Sequence, residues 1–369
     1  MALRKITKTQ TDSATWAADS PGIGTDILRD GVLTELRATV ELTPSATLTA
    51  ANRADGLYRV IQNLTLEGGG RTFFTLPAND APEGGTLLHY LNRLDGFSLG
   101  HPDGAIAAPA RTYTPISFVF HAGSRPRDRY GRPNPFDLTA FVPSLQISRL
   151  RANWVTSGND VMDDVVTISS AVMRFTVSQV LGTELEVMAE MAMQDVRLPP
   201  GTKAMVPEWL AEDYPHGATA SDYATERNIQ GGAWLKRVSL IEQDGTATRA
   251  LRAGDEVTAV KLSLPRGDVE LYKAFADQMM LDVPPGNNLE DDDGAADFQG
   301  NVPRGILVLD LRPHTGPDNP WGVDYGLNAV ALNVGDLKLG LTITTQASND
   351  HSGILLERYL PLLPGQAFA

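Results

Sequence analysis

The histidines of this sequence are the side chains that a metal site or acid–base catalysis would use first. No two of them stand at the spacing of a metal-binding motif, so only the fold could assemble such a site. They are His89, His101, His121, His216, His314 and His351. The sequence also contains no His-Glu-x-x-His motif and no phosphate-binding loop that ends in Gly-Lys-Ser or Gly-Lys-Thr. We therefore predict no catalytic residue, no metal site, no cofactor and no enzymatic activity.

The acidic side chains are numerous, but their spacing does not define a site. The sharpest run is Glu290-Asp-Asp-Asp293, and Ca²⁺ does bind carboxylate oxygens. The run lacks the alternating acids, the glycine and the later glutamate of a calcium-binding loop. We interpret it as a solvated loop. A glycosidase needs two carboxylates across a cleft, and the sequence does not single out one pair among its 45 acidic residues.

Two groups of basic residues stand out in a chain whose net charge is −14. One is an arginine cluster, and because guanidinium groups bind carboxylates and phosphates through paired hydrogen bonds, we predict that it contacts an acidic neighbouring subunit. Its members are Arg125, Arg127, Arg129 and Arg132. The other group is Arg4, Lys5 and Lys8, with no acid before Asp12. A short basic tail of this kind can contact phosphate or anionic lipid.

The composition limits the class of protein. The chain has 369 residues, with 42% hydrophobic and 21% charged residues, which is typical of folded globular proteins and long enough for two domains. The absence of cysteine excludes disulfides and thiolate chemistry. The negative net charge argues against a surface that binds nucleic acid throughout. No signal peptide and no apolar run of about 20 residues are visible, so we expect a soluble protein made in the cytoplasm.

The hydrophobic pattern indicates many short strands and little helix. Leu36, Ala38, Val40 and Leu42 alternate with polar residues, as on a strand with one buried face. Helical spacing predicts short helices over Thr86–Leu94 and Asp268–Met280. Loops are expected in the irregular stretches, which are Gly96–Arg111, Ala122–Pro135, Pro199–Gly232 and Pro284–Gly305.

A repeated pattern divides the chain into two halves. A strand-like run ends on Asn159-Asp160, a second ends on Asn349-Asp350, and the offset is 349 − 159 = 190 residues. Each half also has the order strand, turn, strand, short helix, then two long closing strands. We therefore predict an all-β fold of two consecutive eight-stranded jelly rolls in one chain, each with a short helix. The expected domains are an N-terminal arm over 1–30, a first jelly roll over 31–181 and a second over 182–369.

The chain resembles the double jelly-roll major capsid proteins of tailless icosahedral viruses, the lineage of adenovirus hexon and several internal-membrane phages. The resemblance extends over about residues 30–365. It rests on two similar β domains, the strand pair of Val32–Leu42 and Leu57–Arg71, Asn134-Pro-Phe-Asp-Leu-Thr-Ala140 before the paired closing strands, and the basic N-terminal segment. It is a likeness of architecture and contains no diagnostic motif.

The resemblance implies a structural protein of a virion, here of a bacteriophage. Two similar domains in each of three chains would give a homotrimeric capsomer with a pseudo-hexagonal outline, and such capsomers would tile an icosahedral shell. The arm with Arg4, Lys5 and Lys8 would face the interior, an internal membrane or the genome. Penton or minor capsid proteins would be further partners.

Two other functions fit the same pattern. One is a carbohydrate-active enzyme or binding protein built from two β-sandwiches, which would show a cleft with converging acids. The other is a phage tail or baseplate component, which would form elongated trimers. An assembly protein would instead show large lateral interfaces.

Overall fold

In the described residues, the first half of the chain forms one four-stranded sheet and four strands of a nine-stranded sheet that continues into the second half. The computed structural model describes residues 4–14, 24–44, 61–76, 87, 91, 112–120, 136–156, 168–216, 220–243, 257–264, 270–274, 298–299, 302–303, 306–312, 325–332, 336–343 and 351–365. In that part of the first half the strands are β1 (Arg4–Ala14), β2 (Thr25–Asp26), β3 (Val32–Pro44), β4 (Ile61–Gly68), β5 (Arg71–Thr75), β6 (Thr112–Val119), β7 (Leu150–Thr156) and β8 (Ile168–Leu181). Their order is β1-β8-β3-β6 in one sheet and β5-β4-β7-β2 in the other.

The second half repeats this arrangement. Its described strands are β9 (Ala204–Pro215), β10 (Ala220–Ile229), β11 (Trp234–Gln243), β12 (Val257–Ser263), β13 (Glu270–Ala274), β14 (Phe298–Gln299), β15 (Val302–Pro303), β16 (Ile306–Asp310), β17 (Leu327–Asn328), β18 (Leu337–Ile343) and β19 (His351–Leu362). The order is β16-β11-β19-β9 in one sheet and β10-β18-β12-β13 in the other, while β14 and β15 pair with each other and β17 pairs with β11.

The two halves have the same strand order once the two-residue strands β14, β15 and β17 are set aside. If the remaining strands of each half are numbered one to eight along the chain, both halves contain a sheet of order 1-8-3-6 and a sheet of order 2-7-4-5. Eight antiparallel strands in two such sheets form a jelly roll. The predicted all-β fold of two consecutive jelly rolls is confirmed. The strands β7 and β18, which precede the two Asn-Asp pairs, hold the same place in each roll, whereas the pairs themselves lie outside the described residues.

The sheet β16-β11-β19-β9 is buried on both faces, between two hydrophobic cores. In β19, Leu355 belongs to the core of the first half, while Ile354 and Leu356 belong to the core of the second. In β16, Val308 belongs to the core of the first half and Leu307 to the core of the second. Side chains of a strand alternate between its faces, so this sheet contributes to both cores at once.

The segment expected as an N-terminal arm forms a strand. Residues 4–14 pair with β8 over their whole length, from Arg4 opposite Leu181 to Ala14 opposite Ala171. Threonines at alternate positions favour an extended backbone, and an edge strand needs only main-chain pairing to join a sheet. β1 and β2 are thus the first two strands of the first jelly roll. Gly182 follows β8 directly, and the division of the chain into domains at that residue stays a prediction.

The helix predicted in the first half is confirmed in its described residues, whereas the helix predicted in the second half contains a strand. In the first half Leu87 and Leu91 are helical and buried, as the spacing predicts. In the second half, the segment predicted as helix 268–280 contains β13, with Leu271 opposite Leu262 of β12. A spacing of four residues fits both the helical period and the two-residue period of a strand, and the cross-strand contact decides between them.

A helix that the pattern did not predict, α1 (Glu184–Met193), joins the two jelly rolls. Its first turn has a capping box, because the Thr183 Oγ1 accepts from the Glu186 N–H at 3.4 Å and the Thr183 N–H donates to the Glu186 carboxylate at 2.8 Å. Val187 and Met191 anchor the helix on the first core.

Two further expectations for the second half are wrong. The stretch 199–232, expected as a loop, contains β9 and β10. β9 lies in the doubly buried sheet, so it lacks the alternation that marks a half-exposed strand. The apolar pattern also predicts a strand over Ala329–Val334, but its described residues include a turn at 330–331 after the two-residue strand β17. The expected loops 96–111 and 122–135 lie outside the described residues.

Candidate assembly site at the junction of the two jelly rolls

Within the described residues, one strand of the first jelly roll pairs with one strand of the second. β5 of the first roll pairs in parallel with β9 of the second at Phe74 and Trp209. The ring centroids of these two residues are 6.4 Å apart in an edge-to-face arrangement with an interplanar angle of 60°, and the Phe120 ring lies 6.1 Å from that of Phe74 at a tilt of 31°. Edge-to-face contacts of this kind add to the burial of large apolar area. The junction is therefore a packed core and not a hinge.

A network of buried charges lies in the sheet beside this contact. The guanidinium of Arg237 is fully buried, with its Nη1 3.3 Å from the Oε1 of Glu357 and its Nε 3.2 Å from the Oδ2 of Asp310. Lys236 reaches the other Glu357 oxygen at 3.1 Å, and Arg312 pairs with Asp310. Because buried charges are stable only when each has a partner, these side chains fix their strands relative to one another.

The network also connects the two rolls directly. The Nη1 of Arg237 donates to the carbonyl of Leu91, in the helical segment of the first half, at 3.5 Å. Burial alone would raise the pKa of Asp310, but Arg237 and the hydrogen bond from Arg312 outweigh it and hold that pKa well below its usual range. Asp310 is therefore a carboxylate at any pH near neutrality.

A second buried ion pair stands at the other edge of the same sheet. The Nε of Arg358 donates to the Oε2 of Glu208 at 2.6 Å, and its Nη1 donates to the carbonyl of Gly231 at 3.2 Å. Arg358 lies on β19 directly opposite Glu208 of β9. This ion pair links β9, the first strand of the second jelly roll, to β19, its last strand.

Residues 136–140, the described part of the Asn134–Ala140 motif, lie at the junction. Within it, the Thr139 N–H donates to the Oδ1 of Asp137 at 2.8 Å, which closes a tight turn. The turn presents the Thr139 carbonyl to Tyr325 of the second half, whose hydroxyl donates to it at 2.8 Å. The motif therefore stabilises the contact between the two rolls.

A small apolar cluster continues this contact. The Phe141 N–H donates to the carbonyl of Met205 at 3.1 Å, and the rings of Tyr325 and Tyr359 are 5.5 Å apart in an edge-to-face arrangement. The buried members of the cluster are Ala140, Met205, Tyr325 and Tyr359. The Phe141–Met205 hydrogen bond joins the two halves, and the contact between Tyr325 and Tyr359 supports it from within the second half.

The residues predicted to make contacts between subunits are only partly placed by the structure. The arginine cluster at 125–132 lies outside the described residues. Arg4, Lys5 and Lys8 lie on β1, opposite Leu181, Val180 and Val177. The structure thus places the basic group on an edge strand, and its contacts with an interior, a membrane or a genome stay a prediction.

The sequence analysis did not identify the buried charge network or a Gly-x-Ser-x-Gly motif. Lys236-Arg237 and Glu357-Arg358 are short charged pairs inside apolar runs, a signal that marks buried, paired charges. Gly96-Phe-Ser-Leu-Gly100 has the form of a nucleophile turn and lies outside the described residues. Such a turn needs a strand-to-helix connection in an α/β sheet, which this all-β fold does not provide.

The described residues offer no other chemical centre. Among them, no group of three His, Asp or Glu side chains is arranged to hold a metal ion. None of their helices combines the length and hydropathy needed to span a bilayer.

Comparison with known proteins identifies the fold. No protein-family model and no curated sequence matches the chain. The crystal structure of the major capsid protein of Sulfolobus turreted icosahedral virus matches 98% of this chain and 97% of its own, with a TM-score of 0.63 and 15% identity. An atomic structure of the same virus matches with a TM-score of 0.64 and 16% identity, over 98% of this chain and 92% of the other. VP54 of PBCV-1, fitted into a reconstruction of the virophage Sputnik, matches with a TM-score of 0.51 and 12% identity, over 97% and 94%. The chain therefore has the double jelly-roll fold of these viral proteins.

Proposed function

We propose that the protein is the major structural protein of an icosahedral virion, a capsid protein that forms homotrimeric capsomers. One observation carries the proposal: two jelly rolls with identical strand order account for nearly the whole chain, as they do for a viral major capsid protein matched over 97% of its own length. In this function the protein is a building block and not an enzyme, and it resides in the virion.

The rigid junction supports this function physically. Two similar jelly rolls in one chain give six in a trimer. A hexagonal outline requires that the two jelly rolls of each chain keep a constant relative orientation. The doubly buried sheet resists rotation of one roll against the other, because one of its faces is packed in the core of the first roll and its Arg237 donates to the Leu91 carbonyl there. A ring of such units closes through contacts between different faces of neighbouring chains.

The solution mass and the negative-stain outline of the purified protein test the proposal. A trimer of about three times 39.7 kDa with a hexagonal projection supports it. A monomer at the same concentration contradicts a trimeric capsomer. It would favour instead a carbohydrate-active enzyme or binding protein built from two β-sandwiches. An elongated trimer with fibrous projections favours a tail or baseplate component instead.

The partners follow from the same proposal. Copies of this chain bind each other within a capsomer and then laterally between capsomers, and the cluster Arg125, Arg127, Arg129 and Arg132 supplies basic contacts to acidic neighbours. The basic start of β1, with Arg4, Lys5 and Lys8, faces the interior of the shell, towards a membrane or the genome. Penton and minor capsid proteins complete the shell.

A further inference from the structure

The solvent-facing side of α1 is apolar, which is the reverse of an ordinary surface helix. Residues three and four apart share a helix face, and Leu185, Met188, Ala189, Ala192 and Met193 follow that spacing. All five are exposed, with Leu185 at 80% and Met193 at 71%. The opposite face already holds the helix on the first core. An apolar face that is not needed for folding marks a binding surface.

Carboxylates flank this apolar face, and α1 carries no basic residue. Glu186 and Glu190 stand along one side of it, and Glu184 stands on the other, where it pairs with Lys203. The capping box holds the Glu186 carboxylate in place. Glu190 is held by a hydrogen bond that the Gln194 side-chain amide donates to it at 3.1 Å. The α1 face is therefore a rigid apolar stripe with an acidic border.

The remaining exposed apolar side chains lie at the same end of the molecule. Leu363 follows β19 directly, and the Lys203 N–H donates to the neighbouring Leu362 carbonyl at 2.7 Å. Val330 lies in the turn after β17, next to the start of β11, where Trp234 pairs with Tyr359 of β19. Tyr359 is three residues from the end of β19, about 10 Å along the strand. In the described part of the chain, all five large exposed apolar side chains thus gather at one end.

We propose that the α1 face docks an amphipathic helical segment of another protein, one with lysines or arginines beside its own apolar stripe. The two alanines allow a partner helix to approach closely, and the methionines adapt to its side chains. The acidic border selects a basic partner. It also disfavours the two other occupants, because pairing of two α1 helices would oppose glutamates and an anionic bilayer would repel them. The proposal does not depend on the capsid function.

The probe is a synthetic amphipathic helix of leucine and lysine, compared with a leucine–glutamate helix of the same pattern. Titration of the full chain with the fluorescent leucine–lysine helix is expected to saturate, and the Leu185→Gln/Met193→Gln variant is expected to bind at least tenfold more weakly. Thermal unfolding of the variant should be unchanged because both side chains are exposed. Equal binding by the variant overturns the proposal, since attraction to a protein of net charge −14 would then be non-specific.

Matched charge variants and vesicles separate the possible occupants. Glu190→Gln is expected to weaken binding of the leucine–lysine helix severalfold, whereas Asp213→Asn, which removes an exposed carboxylate near the other end of β9, is expected to leave it unchanged. Equal effects of the two variants overturn the proposal. Binding to phosphatidylserine vesicles without binding of the peptide identifies a lipid surface instead. A smaller oligomer for the Leu185→Gln/Met193→Gln variant identifies a second copy of the chain.

Discussion

Arg237 and Glu357 stand directly opposite each other on β11 and β19, with side chains that are 0% and 1% exposed and 3.3 Å apart. On the same strands, Val238 and Leu356 fill the core of the second jelly roll, while Ile241 and Leu355 fill the core of the first. An ion pair at this place costs desolvation and contributes little net stability compared with an apolar pair of similar volume. Its effect is to define one register of the two strands and, through Leu91, one position of the first roll against the second.

Removal of one partner of this pair is expected to be costly. Arg237→Met keeps most of the side-chain volume but leaves Glu357 and Asp310 without their shared guanidinium. We expect a loss of about 3 kcal/mol in the free energy of unfolding, the lower end for breaking a buried ion pair, because Glu357 then keeps only Lys236 and Asp310 keeps only Arg312. Unfolding in guanidinium chloride measures it.

The surface pair of Arg149 and Asp26 is the control for this measurement. Its atoms are 2.8 Å apart, but the side chains are 61% and 60% exposed. Arg149→Met is therefore expected to leave the unfolding midpoint unchanged, since water replaces the lost partner. Equal losses for the two variants would show that burial does not set the strength of the Arg237 network.

A glycine beside the junction provides a second test of packing. Gly326 has a φ of +86°, and a Cβ at this position would overlap the carbonyl oxygen of Leu235. Gly70 has a similar φ of +77° with nothing within 4 Å of a Cβ. Gly70→Ala should cost about 1 kcal/mol from backbone strain alone. Gly326→Ala should cost at least about 3 kcal/mol, because the backbone of β11 must also move. Equal unfolding free energies for the two variants would contradict the close approach.

The hydrophobic pattern locates many of the strands but misses β9 and β1. In β3 the alternation is informative, because Leu36 and Ala38 are fully buried, Arg37 between them is exposed, and the predicted strand is present. β9 lies in the doubly buried sheet with Trp209 and Met205 at its centre, and its pattern carries no alternation to detect. The edge strand β1 fails for the opposite reason, because it is polar along most of its length and its pairing with β8 depends on backbone hydrogen bonds.

Some functional features could be predicted from the sequence and others could not. The repeat and the jelly-roll architecture follow from strand count and order, which local patterns encode. The charge network of Arg237 and the α1 face depend on which elements meet in space. Met188 and Val187 are neighbours in sequence, yet one is exposed and the other buried, and only the placement of the helix decides which.

The stability of the junction is expected to fall in acid. Because the pKa of Asp310 is lowered in the folded state, the unfolded chain binds a proton first as the pH falls. The contribution of Asp310 is thus complete above its unfolded pKa of about 3.9 and is lost progressively below it. The side chain is 29% exposed, so we expect a contribution of only about 1 kcal/mol. Asp310→Asn should lower the stability at pH 7 and flatten its decline between about pH 5 and pH 2, as urea unfolding at each pH would show; an unchanged decline would contradict the assignment.

Charge reversal in the arginine cluster tests the proposed contact between subunits. In the Arg127→Glu/Arg129→Glu variant, basic contacts to acidic neighbours become repulsive, while a side chain that serves only assembly is not needed for folding of the single chain. We expect the thermal midpoint of the monomer to be unchanged and the midpoint concentration for trimer formation to rise at least tenfold, with a difference that shrinks in high salt. Arg71→Glu is the matched control, since Arg71 is an exposed arginine on the β4–β5 hairpin. If both variants weaken the trimer equally, net charge governs association; if neither does, the cluster does not contribute to the interface and the trimer contact must lie on the apolar or acidic surfaces.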